Sequence, residues 1–162
     1  MAIRFDNSAD DLVRTSDLLN YNANFTVLLW FKLKAKVASG GYISLVWGSD
    51  NVDDYSVLGV KGQTASDSRL GFFAGDSPWA EAWDSAGLSL DTWYCVWWIR
   101  AASNNNKIYR DGALIADCTT DVGTFSTIVA LGVCDTSALN CVVGGMKIWS
   151  TNLTVAELQI ES

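Results

Sequence analysis

The stretch from Lys107 to Ala116 reads Lys-Ile-Tyr-Arg-Asp-Gly-Ala-Leu-Ile-Ala, two short apolar runs joined by Asp111-Gly112. Asp-Gly is the dipeptide that most readily takes the positive φ angles of a two-residue hairpin loop, so the stretch predicts an antiparallel strand pair. Working outward, similar short runs recur at Ala2 to Phe5, Asp11 to Arg14, Phe25 to Lys34, Gly41 to Trp47, Tyr55 to Val60, Leu70 to Ala74, Trp93 to Ala101, Ile128 to Val133 and Val142 to Trp149. Gly, Asp, Asn and Ser separate them, which is the pattern of an all-β sandwich or barrel. Pro78, the single proline, leaves the strands free of breaks. At the far end Thr154 and Glu157 have capping-box spacing, and Leu153 and Leu158 occupy the staple positions, predicting a short C-terminal helical turn.

The composition agrees with a folded chain. Of the 162 residues 49% are hydrophobic, which argues against disorder, and the longest apolar runs, such as Trp93 to Ile99, fall far short of the ~20 residues of a membrane helix. Membrane insertion is therefore not expected. Eleven Lys and Arg stand against 18 Asp and Glu, a net charge of −7, and the largest basic cluster is Lys32, Lys34 and Lys36. These alternate, as a solubilising strand edge or face would, and nucleic acid is disfavoured as a partner. Fifteen of the acids are Asp and three are Glu, a bias toward turns over helices. No linker or internal repeat divides the sequence, so a single domain over residues 1–162 is expected.

The chain has four cysteines and no histidine, and no C-x-x-C pair, so the usual zinc sites are missing. Cys95 reads as a small buried hydrophobe, while Cys134 and Cys141 flank a turn-like Asp135-Thr136-Ser137 and could bridge in an oxidising compartment. Met1 leads directly into a strand pattern with no apolar signal core, so either the protein is not exported by a signal peptide or this is an excised domain. Exposure at an extracellular or virion surface stays open through assembly or lysis.

Five blocks in order resemble the laminin G-like, concanavalin A-like lectin and glucanase jelly rolls. Ala2-Ile3-Arg4-Phe5-Asp6 is similar to the opening strand, with Asn7 where the family has glycine, and Asn24 to Lys32 is similar to Phe-Thr-[Ile/Val]-x-x-Trp-[Ile/Val]-Lys. Asp91 to Val96 resembles Gly-x-Trp-His-His-Val, with Tyr94 and Cys95 in the histidine positions. Ile108 to Ile115 resembles Leu-Tyr-Val-Asp-Gly-x-Leu-[Ile/Val], and Met146 to Leu158 resembles the closing strand and helix. The resemblance implies a concanavalin A-like jelly-roll sandwich of two antiparallel sheets with glycan recognition as its function. It also implies that the usual structural calcium is weakened, because Val143-Gly144-Gly145 stands where many members carry Ile-Asp-Glu.

A glucanase of this fold should carry Glu-x-Asp-x-x-Glu on one strand, since retaining hydrolysis needs two carboxyl groups ~5 Å apart. The glutamates are Glu81, Glu157 and Glu161, two of them in the predicted helix, so no catalytic set is identified. The positive clue is eight tryptophans. Indole faces stack on sugar C–H faces while Asp and Asn side chains hold hydroxyls. In the strand from Phe25, the odd-numbered Phe25, Val27, Leu29, Phe31 and Leu33 are expected in the core, leaving Trp30 on the other parity. The strand from Trp93 is apolar on both faces, so either chain folds across its second face or that face is a platform with Trp30 and Trp98 as its floor. A second candidate is Asp76 to Asp84, in which Trp79 and Trp83 among Asp76 and Asp84 would share a strand face ~13 Å apart. A third is Gly48 to Tyr55, where Asp50 and Asn51 with Asp53 and Asp54 could bind calcium or sugar hydroxyls. Asn104-Asn105-Asn106 is expected as a turn. The expected function is a non-catalytic, lectin-like module for a glycan or polysaccharide. The alternative is a structural or adhesion protein of a virion or cell surface that uses the sandwich for protein contacts.

Overall fold

Asp111 and Gly112 have φ values of 51° and 86°, so both central positions of the hairpin loop take the positive φ of a type I′ turn. The loop joins β10 (Asn105–Arg110) to β11 (Ala113–Cys118), with Arg110 opposite Ala113. The turn is also tied inward. The Asp111 carboxylate accepts the Cys95 N–H at 2.9 Å and the Asp111 N–H donates to the Cys95 carbonyl at 2.8 Å.

The protein is described by a computed structural model covering residues 3–5, 11–13, 19–20, 24–49, 55–75, 80–102, 104–120, 127–132 and 141–162. The remaining strands are β1 (Ile3–Phe5), β2 (Asp11–Val13), β3 (Leu19–Asn20), β4 (Phe25–Leu33), β5 (Tyr42–Ser49), β6 (Tyr55–Thr64) and β7 (Asp67–Gly75). They are followed by β8 (Ala80–Trp83), β9 (Trp93–Ala102), β12 (Thr127–Gly132), β13 (Cys141–Trp149) and the helix α1 (Val155–Glu161). Two antiparallel sheets result, a six-stranded one in the order β1-β13-β4-β9-β10-β11 and a seven-stranded one in the order β2-β12-β5-β6-β7-β8, with β3 also on β12. This is the two-sheet jelly-roll sandwich with a short terminal helix expected from the sequence.

The alternation in β4 works as expected. Phe25, Val27, Leu29, Phe31 and Leu33 are buried between the sheets, where they meet Leu58, Val60, Leu70 and Phe72 from β6 and β7. Strand β9 is buried on both sides. Tyr94, Val96 and Trp98 face the other sheet, whereas Cys95, Trp97 and Ile99 join Leu28 and Leu158 in a second cluster on the outer face. Chain therefore does fold across that second face, as the C-terminal segment.

The docking of that segment has a local cause. Thr26, buried in β4, donates its hydroxyl to the Thr151 carbonyl at 2.9 Å and accepts the Leu153 N–H at 2.9 Å. The capping box then forms: Glu157 accepts the Thr154 N–H at 2.8 Å, and Thr154 accepts the Glu157 N–H. Leu158, fully buried, anchors the helix to Leu28 and Trp97.

Some sequence expectations change. β3 and β8 were not among the expected strands, and Asn105 and Asn106 open β10 instead of forming a turn. Asn106 is fully buried and its amide oxygen accepts the Trp98 indole N–H at 3.3 Å, so strand pairing and an internal partner outweigh asparagine's turn preference. The three lysines are individually occupied: Lys32 lies over the Trp93 ring at 4.9 Å, Lys34 pairs with Asp91, and Lys36 donates to the Leu88 carbonyl. Cys95, Cys118 and Cys141 are buried free thiols, and Cys134 lies outside the described residues.

Candidate functional site

The outer face of the seven-stranded sheet is built by strict alternation. Leu58 and Val60 of β6, Leu70 and Phe72 of β7, and Ala80 and Ala82 of β8 point into the sandwich, so Lys61, Phe73, Glu81 and Trp83 point out. Tyr42, paired with Lys61 at the start of β5, joins them.

Tyr42, Phe73 and Trp83 form one aromatic cluster. Ring centroids lie 4.9 Å apart for Tyr42 and Phe73, 5.9 Å for Tyr42 and Trp83, and 5.7 Å for Phe73 and Trp83, the last pair stacked at 29°. Phe73 is covered by its neighbours, whereas Tyr42 and Trp83 keep part of their surface in solvent. Gly71, opposite Trp83 in the register, makes this packing feasible, since a Cβ there would sit 2.6 Å from Trp83 Cε3 and 2.3 Å from the Ala82 carbonyl oxygen. The Trp83 indole N–H is buried with no hydrogen-bond partner among the described residues.

Lys61 holds the centre. Its Nζ lies 5.3 Å from the Tyr42 ring centroid, 5.5 Å from that of Trp83, and 3.1 and 3.3 Å from the two Glu81 carboxylate oxygens. Burial works against its charge, but hydrogen bonds to Glu81 and Tyr42 and the charge of Glu81 outweigh it and raise the ammonium pKa above 10.5. The face thus offers partly exposed aromatic surface with a fixed donor and a fixed acceptor beside it. That is a surface for a ligand with C–H faces and hydroxyls. Among the described residues Glu81 is the single carboxylate of this cluster, and it is held by Lys61.

The predicted site residues scatter. Trp83 lies in this cluster, while Trp79, Asp76, Asp50 and Asn51 lie outside the described residues, as do Asp53 and Asp54 of the candidate calcium segment. Trp98 does not floor an exposed platform. It is fully buried between the sheets, edge-on to Phe25 at 4.9 Å and 5.6 Å from Phe72 across the sandwich. Trp30 lies on the opposite face of the same sheet, because the register pairs Trp30 with Cys95 and Val27 with Trp98. Asp84 is not a solvent-facing ligand group either. Its side chain is 4% exposed and pairs with Arg110, and its other oxygen accepts the Ala86 N–H at 2.9 Å. Tyr42, Lys61 and Phe73 were missed from sequence. The signal for Lys61 was the alternation in β6, but a Phe72-Phe73 pair gives no hint of which ring faces out.

The sequence profile of the concanavalin A-like lectin/glucanases superfamily matches residues 6–159. The chain belongs to that family. No curated protein sequence matches it. Among solved structures it is similar to domain 4 of AbnA, an extracellular arabinanase from Geobacillus stearothermophilus in complex with arabinotriose. That match has a TM-score of 0.72 and 17% identity over 98% of this chain and 86% of that one. It is similar also to Trypanosoma rangeli sialidase in complex with sialic acid (TM-score 0.71, 13% identity, 98% of this chain and 27% of that one). A third similar structure is the botulinum neurotoxin serotype D binding domain (TM-score 0.73, 15% identity, 99% and 41%). The chain therefore spans about a quarter of the sialidase and two fifths of the toxin fragment. At these identities the likeness is one of fold.

Proposed function

We propose that this jelly roll, acting as one module over residues 1–162, is a non-catalytic carbohydrate-binding domain that holds a glycan or polysaccharide on the outer face of its seven-stranded sheet. The observation that carries the reading is the Tyr42, Phe73 and Trp83 cluster with Lys61 and Glu81 locked beside it. A sugar ring stacks on the partly exposed indole of Trp83, its hydroxyls meeting Lys61 and Glu81. The saccharide complexes of two similar structures, with arabinotriose and with sialic acid, support a sugar as the ligand class. Among the described residues Glu81 is the single carboxylate of the cluster, whereas glycoside cleavage ordinarily takes two.

The test is a glycan array probed with the intact chain in calcium and in chelator, repeated with Trp83→Ala. A coherent glycan set lost in the variant supports the reading, and the chelator arm reports whether the Asp50 to Asp54 segment contributes a calcium site. Silence of the intact chain in both conditions overturns it and turns attention to protein contacts, read by light scattering.

A further inference from the structure

The Asp111-Gly112 loop that sets the hairpin is also the point where the backbone is chemically easiest to rearrange. A carboxyl group one methylene from the main chain, followed by a residue with no side chain to shield its nitrogen, can close on that nitrogen as a five-membered succinimide. The sequence holds a single Asp-Gly and no Asn-Gly, so this chemistry concentrates at one place. We propose that Asp111-Gly112 is a backbone-isomerisation site that the native turn holds inert, and that its conversion to isoaspartate prevents the β10–β11 hairpin from closing again.

The Gly112 nitrogen attacks Asp111 Cγ, and as the C–N bond forms, the hydroxyl of the protonated carboxyl leaves with the amide proton as water. Water then opens the ring. Attack at the side-chain carbonyl restores aspartate, whereas attack at the main-chain carbonyl leaves the chain running through Cβ and Cγ, with a carboxylate on Cα. One water leaves and one returns, and nothing is oxidised or reduced.

Two features of the fold block the first step. At φ 51° Asp111 lies in the left-handed region, where ψ is roughly +30 to +60°. For an L residue that ψ sets Cβ nearly anti to the next nitrogen about the Cα–C bond, whereas ring closure needs the two nearly eclipsed. The carboxylate is also turned to β9, where it accepts the Cys95 N–H at 2.9 Å while the Asp111 N–H donates to the Cys95 carbonyl at 2.8 Å. Rotating Asp111 into reach of Gly112 breaks both contacts and the Arg110–Ala113 pairing, so cyclisation waits for the hairpin end to open.

Once formed, isoaspartate adds a methylene to the backbone, and the two-residue type I′ loop no longer fits between Arg110 and Ala113. The carboxylate, now on Cα, loses its reach to Cys95. The neighbouring Arg110 joins the two sheets through Asp84, and the strands on either side place Ile108, Ala116 and Cys118 in the core. An opening that runs to isoaspartate is therefore recorded in the chain as a weakened edge of the sandwich.

The experiment incubates the intact chain at mildly acidic pH, native and in urea, and follows isoaspartate at position 111 by electron-fragmentation mass spectrometry and by enzymatic methyl transfer to isoaspartyl carboxylates. Conversion should be at least about tenfold slower in the native protein than in urea. Asp111→Asn cyclises by losing ammonia, a faster reading of the same gate that retains an acceptor for the Cys95 N–H, and should show the same suppression. Arg110→Ala should raise the native rate about five- to thirtyfold and leave the rate in urea unchanged. After conversion and removal of urea, the amides of β10 and β11 should exchange faster than in unconverted protein. Native and urea rates within about twofold of each other, in wild type or in Asp111→Asn, overturn the block. A native rate that Arg110→Ala leaves unmoved overturns gating by the hairpin, and converted protein with native amide protection overturns the lasting effect.

Discussion

Replacing Asp84 by alanine removes two interactions at once. Its carboxylate pairs with Arg110, and it accepts the Ala86 N–H, which closes the turn after β8. Because β8 belongs to one sheet and Arg110 ends β10 in the other, the pair ties the sheets together at one edge. The contact with Arg110 is an ion pair, and removing one partner of a buried pair costs about 3–5 kcal/mol when both are fully desolvated, while the neutral backbone hydrogen bond contributes about 1 kcal/mol. The Arg110 side chain is 20% exposed and packs over the Tyr94 ring at 5.6 Å, so part of its charge rehydrates once Asp84 is gone. The expected loss for Asp84→Ala is about 3 kcal/mol, or roughly 6–12 °C in Tm for a chain of this size. Asp84→Asn retains an oxygen for Ala86 and a neutral acceptor for Arg110, and should lose about half as much.

Urea denaturation followed by tryptophan fluorescence measures both, and the double variant Asp84→Ala with Arg110→Ala isolates the pair. Removing both partners should cost less than the sum of the single losses, by about 1 kcal/mol or more. Glycan binding at the Trp83 face should survive in Asp84→Asn. If Asp84→Ala unfolds at the wild-type urea midpoint while glycan binding collapses, the reasoning is refuted, and Asp84 is a ligand-binding residue after all.

Leu158→Ala, at the one fully buried position of the helix, should lose about 2–4 kcal/mol in urea and raise amide exchange across α1. Lys61 has a folded-state pKa raised above 10.5, so its contribution is complete below 10.5 and is lost as pH climbs through the folded value. Wild type should therefore lose its stability advantage over Lys61→Met in that alkaline window, and an advantage independent of pH would contradict the Glu81 and Tyr42 contacts. Burial pushes the Cys141 thiol up to about 12, so native protein at a pH of ~8 should resist a thiol reagent there until urea unfolds it, as quantified by peptide mapping.

The parts of the fold legible in the sequence were those decided by local chemistry. Asp111-Gly112 supplies positive φ, Thr154 and Glu157 cap each other, and the parity of β4 selects its core side, because each involves residues close in sequence. The proposed face was legible only through Trp83. Trp97 and Trp98 are adjacent and equally apolar, and which of them meets the opposite sheet depends on pairing with β4 and β10, which sequence parity alone does not reveal. Asp84 looked like a sugar ligand because its partner Arg110 comes from another sheet. The same holds for Asn106, whose turn preference yields to the buried indole of Trp98.

The described helix and the strand it packs on differ in length. β4 and β9 are apolar on both faces over most of their course, so the six-stranded sheet needs cover outside the sandwich as well as within it. That cover starts at a fixed place, since Thr26 pins Thr151 and Leu153 and the capping box begins the helix at Val155. Seven helical residues rise about 10 Å, whereas the nine residues of β4 run ~30 Å. The helix therefore shields the Leu28 and Trp97 end, whereas at the Trp93 end Lys32 lies over the indole and Gly144 lets that ring settle beside Trp30.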